Sequence, residues 1–107
     1  KSTKRGIHFF YGARTEDDLL YQSEFFQLAK QYDHFNYFPV LSQPSPEWMG
    51  AKGYVQELLK LQIKGISQIN NVEFYLCGPP DMMSTTIELL KTNNVDASNI
   101  AFDEFTQ

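Results

Sequence analysis

Apolar residues in this chain come in short runs divided by polar, glycine-marked or proline-marked stretches, and the spacing within the runs alternates between two periods. The first run, Ile7-His8-Phe9-Phe10-Tyr11, is nearly continuous and closes on Gly12-Ala13-Arg14. Strands covered on both faces of a parallel sheet read this way. Thr15 with Asp18 three residues on resembles a capping box with the shorter acid, which predicts a helical turn over 16–19. From Ser23 to Tyr32, the residues Phe25, Phe26, Ala29 and Tyr32 fall at i, i+1, i+4 and i+7, the spacing of one helical face. A second strand is predicted from Phe35 to Ser42. Pro39 within it cannot donate to a ladder, so this strand belongs at a sheet edge or breaks its pairing there.

From Gln43 to Lys52 the pattern gives way to Pro44, Ser45, Pro46, Trp48 and Gly50, a loop with turn punctuation. Trp48 is suited either to covering an adenine or to packing the loop onto the body. Gly53-Tyr54-Val55 opens a helix running to about Gly65, with Val55, Leu58, Leu59 and either Leu61 or Ile63 turned inward. Val72 to Cys77 is a third strand, rich in β-branched and aromatic residues, and it stops at Gly78-Pro79-Pro80. Glycine permits a sharp turn or close approach by a ligand, and the prolines preset the first turn of a helix predicted over Pro80 to Lys91. Met83, Ile87 and Leu90 lie on one face of that helix and Asn93-Asn94 end it. Asn99 to Phe105 is a last short strand.

The resulting β-α-β-α-β-α-β order predicts an α/β fold, a parallel sheet with helices on both faces, and a single domain over residues 1–107. All strand tips of such a sheet share one edge. Arg14, Ser42, Cys77 and Phe105 are therefore expected to line one crevice, the place where open α/β sheets bind ligands.

A chain of 107 residues with 42% apolar content can bury a modest core. Its net charge of −4 leaves no basic footprint for nucleic acid beyond Lys1, Lys4 and Arg5 at the start. One cysteine permits no internal disulfide, no metal-ligand spacing is present, and no run reaches the length of a membrane span, so direct membrane insertion is not expected. Acid/base chemistry is thinly supplied. His8 lies inside a strand, His34 follows a helix, and Glu16, Asp17 and Asp18 suit a helix start better than a carboxylate dyad. The crevice offers instead an arginine for a phosphate, a glycine turn and a small thiol. Hydride transfer suits such a site, because it needs orientation more than a titrating base. Cys77 is then a positioner, since the sequence shows no cation beside it to stabilise a nucleophilic thiolate.

Four blocks, Phe10-Tyr11-Gly12-Ala13-Arg14, Gly53-Tyr54-Val55, Phe74 to Met82 and Phe102-Asp103-Glu104-Phe105, occur in the order and approximate spacing of the nicotinamide-binding domain of the ferredoxin-NADP reductase family. The chain resembles that domain over nearly its whole length, most closely in the family's sodium-pumping quinone-reductase branch. The resemblance implies that Gly12, Ala13 and Arg14 sit beside the dinucleotide, with Arg14 toward a phosphate or ribose. Cys77, Gly78, Pro79 and Pro80 would line the nicotinamide pocket, with Met82 on its wall and Phe105 meeting the flavin. Ser42 and Gln43 occupy the place where members using the phosphorylated cofactor carry an arginine, so NADH is favoured. It also implies that hydride passes from NADH to FAD on a barrel domain, and electrons go on through a 2Fe-2S cluster in a ferredoxin-like domain toward quinone. Those domains are absent from these 107 residues, which alone should bind nucleotide without turnover. The parent subunit would work at the cytoplasmic face of a bacterial inner membrane with other subunits of its complex. The reductase component of an oxygenase, or a non-catalytic nucleotide- or protein-binding module, are the competing readings. The family's domain normally opens with one further strand and a glycine-rich turn. Without them the first and third predicted strands are expected to lose the neighbour between them, and two central edges stay unpaired unless another segment or a second copy fills that slot or the sheet closes directly across it.

Overall fold

In the structure, a computed structural model, residues 6–19, 22–66 and 69–104 are described. Five strands form one parallel sheet: β1 (Gly6–Ala13), β2 (Phe35–Leu41), β3 (Ala51–Lys52), β4 (Val72–Gly78) and β5 (Ile100–Glu104), in the order β3-β2-β1-β4-β5. Three helices connect them: α1 (Gln22–Gln31), α2 (Val55–Lys64) and α3 (Pro80–Thr92).

The sheet closes directly across the expected slot. β1 pairs directly with β4, from Gly6 opposite Val72 to Tyr11 opposite Cys77, while its other side pairs with β2 from Ile7 opposite Phe35 to Ala13 opposite Leu41. Direct closure satisfies backbone groups that two unpaired central edges would have left open. β3 is a second departure. Its two residues lie in the segment expected to be loop, and they pair with Val40 and Leu41.

Alternation along each strand sends side chains to two cores. Phe10, Val40, Phe74 and Leu76 face α2 and α3, where Val55, Leu59, Met83 and Leu90 are all buried. Phe9, Tyr11, Ala13, Tyr37 and Leu41 face α1, which supplies Phe25 and Ala29. Phe9 is the hub there, its ring 4.7 Å from that of Phe25 and 4.8 Å from that of Tyr75. The helices thus cover both faces as expected. Phe26 on α1 and Tyr32 just past its end are exposed despite their place on the predicted face, and on α2 it is Ile63 that packs inward while Leu61 is exposed.

Pro39 sits where its missing donor does no harm. Ser42 N–H donates to the Ala13 carbonyl at 3.0 Å and Gly53 N–H to the Leu41 carbonyl at 2.8 Å. Even-numbered residues of β2 therefore bond toward β1 and odd-numbered ones away from it. The nitrogen of Pro39 faces outward, past the end of the two-residue β3, which is an edge position.

Candidate functional site

The carboxyl ends of β1 and β2, with Pro79 just beyond the end of β4, open on one cavity of about 360 Å³. β1 supplies Gly12 and Ala13, and Arg14 follows them. β2 supplies Val40, with Ser42 just beyond it. Parallel pairing brings these together, and it continues past the strand ends, where Gln43 N–H donates to the Arg14 carbonyl at 2.8 Å. Gly53 makes the turn from β3 into α2 with φ +114°, a conformation L side chains rarely adopt. That turn sets Tyr54, Val55 and Gln56, the start of α2, on the cavity wall, opposite Pro79, Asp81, Met82 and Thr85 from the start of α3.

Two helix N-termini thus meet at one opening. α2 starts after Tyr54 and α3 after Pro79, and neither has a side-chain hydrogen bond capping it. Amides of a first helical turn have no partner within the helix, and with the helix dipole they favour an anion. Arg14, exposed on the rim, adds a full positive charge and a bidentate donor. Asp81 adds a carboxylate from the α3 side of the cavity, so an anion is favoured toward the α2 start and Arg14. The side-chain carbonyl Oε1 of Gln56 is buried without a hydrogen-bond partner. It is an acceptor without a donor, closed to solvent in a residue on the cavity wall.

A notch formed by two glycines lies beside this cavity, with the Met82 side chain packed into it. A Cβ on Gly12 would fall inside contact distance of Met82 Sδ and 2.8 Å from Val55 Cγ2. A Cβ on Gly78 would overlap Met82 Cε and lie 3.2 Å from the Gly12 carbonyl. Both glycines are therefore needed for close approach, which at present is made by Met82.

Of the residues expected here, Gly12, Ala13, Arg14, Ser42, Pro79 and Met82 line the cavity. Gln43, Gly78 and Pro80 adjoin it in the chain without lining it. Cys77 lies on the other side of the sheet: it packs, half-buried, against the core that faces α1. Phe105 lies outside the described residues. Trp48 packs its loop, donating Nε1–H to the Ala51 carbonyl at 2.9 Å, and is not on this cavity. The acidic cluster is structural: the Ser45 hydroxyl and amide donate to the Glu16 carboxylate and hold its pKa below the ordinary value, and Thr15 N–H donates to Asp18 at 3.4 Å. His8 is wrapped by the rings of Phe38 and Phe74, and burial pushes its pKa down. Tyr54, Gln56, Asp81 and Thr85 were not expected in the site. Tyr54 and Asp81 lie within recognisable blocks, whereas nothing in the sequence marks Gln56 or Thr85. Among the described residues no three His, Cys, Asp or Glu groups gather as for a metal, and no helix is long and apolar enough to cross a membrane.

Comparison with known proteins agrees with this geometry. Residues 1–88 match the family model described as oxidoreductase NAD-binding domain. The chain is 39% identical over 96% of its length to a subunit of the Na(+)-translocating NADH-quinone reductase of Yersinia enterocolitica. It is 40% identical over the same share to the like-named subunit of Pseudoalteromonas atlantica. In both cases it spans only 26% of the relative. Among solved structures, the CS-b5R domains of human Ncb5or in the NAD+ form superpose with a TM-score of 0.74, at 27% identity, over 92% of this chain and 28% of that one.

Proposed function

Because the chain belongs to the oxidoreductase NAD-binding domain family, we propose that it is the NADH-binding part of a flavin-dependent reductase, working within a longer subunit of a sodium-pumping NADH:quinone reductase. The observation that carries this is the cavity itself. The tips of β1 and β2, two uncapped helix starts and Arg14 converge on one opening, and beside it two glycines on neighbouring strands let Met82 approach the backbone closely.

In this reading Arg14 and the first amides of α2 hold a phosphate of the dinucleotide, and Gln56 accepts from a ribose hydroxyl. Ser42 and Gln43 take the adenosine end. Neither offers the guanidinium that a 2′-phosphate wants, so NADH is preferred over NADPH. At about 360 Å³ the cavity is near the lower end for small-ligand sites, so the dinucleotide extends beyond it along the strand ends. Gly78, Pro79 and Pro80 bound the nicotinamide end. Cys77 is a positioning residue: its side chain emerges on the α1 face, so it meets the ring only where the ring lies across the tip of β4. Phe105 guards the flavin side. A bound dinucleotide would supply hydride to an FAD held by a barrel domain, and a 2Fe-2S cluster in a ferredoxin-like domain would carry electrons on toward quinone. Both domains are partners outside these 107 residues, at the cytoplasmic face of a bacterial inner membrane, and this part alone has no turnover.

Calorimetric titration of the chain with NADH and NADPH tests the binding reading. Saturable NADH binding, with NADPH weaker, is expected; failure to bind either overturns it. Anaerobic titration of the flavin-bearing subunit tests the redox reading, which requires the flavin absorbance to bleach at one NADH per flavin.

A further inference from the structure

Met82 packs over two neighbouring strand tips beside the cavity. Its thioether fills the cradle between Gly12 and Gly78, neighbouring tips on β1 and β4, and its own backbone belongs to the first turn of α3. Neither glycine presents a side chain, so the cradle is a flat, backbone-lined notch whose sole side-chain occupant among these contacts, apart from Val55 Cγ2 at one rim, is Met82. Met82 is also only partly buried and lines the adjoining cavity, so the end of the side chain has open space to move into. Methionine is unbranched, with three rotatable bonds.

Resting on the nucleotide reading above, we infer that Met82 is a displaceable plug. It occupies the seat of a planar heteroaromatic ring of the dinucleotide and swings out toward the cavity, clear of the ring, when the ring enters. The fold thereby holds its own site partly closed. Apparent affinity is reduced by the fraction of molecules with the notch open, a cost that removal of the plug abolishes.

The test uses the full chain labelled with ¹³C at the methionine methyl groups. Without ligand, the Met82 methyl shows nuclear Overhauser contacts to the α protons of Gly12 and Gly78. Saturating NAD+ is expected to remove those contacts and shift the methyl resonance. Nicotinamide mononucleotide and adenosine monophosphate, added separately, identify which ring is seated by which of them reproduces the loss. Met82→Ala is expected to bind NAD+ about threefold to tenfold more tightly. Gly78→Ala, whose new methyl group fills the notch, is expected to bind more weakly with either residue at position 82. Contacts that persist at saturation, or weaker binding by Met82→Ala in a chain that remains folded by circular dichroism, overturn the inference. If Met82→Ala does not fold, the Overhauser contacts of the unaltered chain decide alone. A chain that binds no NAD+ at all overturns the nucleotide reading itself, a result distinct from binding with Met82 in place.

Discussion

Replacing Gln56 by Met separates stability from binding in a single substitution. Gln56 lies in the first turn of α2, lines the cavity, and keeps its Oε1 buried with no donor in reach. A buried polar group left without a partner costs about 1–3 kcal/mol. Methionine has nearly the same length and a similar helix propensity, so the substitution removes the orphan acceptor and little else. The ligand-free variant should gain about 1 kcal/mol, the low end of that range, because the residue is not wholly enclosed. For a domain of this size that raises the melting midpoint by about 4–8 °C. NADH binding should move the other way. Loss of one neutral hydrogen bond, about 0.5–1.5 kcal/mol, weakens it by about twofold to tenfold. Thermal melts with and without saturating NADH report both changes, since ligand stabilisation follows the ratio of concentration to dissociation constant. A variant that melts no higher and binds equally well would refute the claim that this oxygen waits for a ligand.

Other consequences are as direct. Gly53→Ala forces a side chain into φ +114° and within 3.2 Å of Glu57 Oε1, and should cost about 1–2 kcal/mol in urea unfolding. His8 binds its proton less readily folded than unfolded, so the unfolded chain takes up protons first as pH falls below 6.5, and stability declines over that window. His8→Gln should flatten the decline between about pH 7 and about pH 5 when unfolding is compared at both ends. In the flavin-bearing subunit, Cys77→Ala should leave NADH affinity nearly unchanged while slowing flavin reduction in stopped flow; equal loss of both would remove its positioning role.

Much of this architecture was legible because short-range pattern and long-range pairing agree. The run Ile7 to Tyr11 needs cover on both faces, and β1 receives it from two cores. Gly65 ends α2, and Asn94, at φ 69°, follows the end of α3, each near its predicted stop. Pro39 marked an edge, and its nitrogen faces one. β3 was not legible, since two residues held by two strand partners carry no period. Nor was the β1–β4 pairing, because the choice of strand neighbours depends on contacts more than 60 residues apart. In the site, Arg14 and Ser42 followed from parallel topology alone, while Gly12 and Ala13 followed from the family resemblance. The face of Cys77 also follows from alternation: Phe74, Leu76 and Gly78 face α2 and α3, so the residue between the last two faces away. The orphan oxygen of Gln56 and the position of Met82 in the glycine notch are properties of packing, which no local pattern reports.

The central claim is that the carboxyl ends of β1, β2 and β4 form one nucleotide-binding rim. Amide chemical-shift mapping of the ¹⁵N-labelled chain during NADH titration tests it most directly. The largest changes are predicted to cluster at Gly12 to Arg14, Ser42, Gly53 to Gln56 and Asp81 to Met82, saturating together. Changes centred on the opposite edge of the sheet, at Gly6, Phe35 and Val72, or around Tyr37 and Trp48, would contradict it.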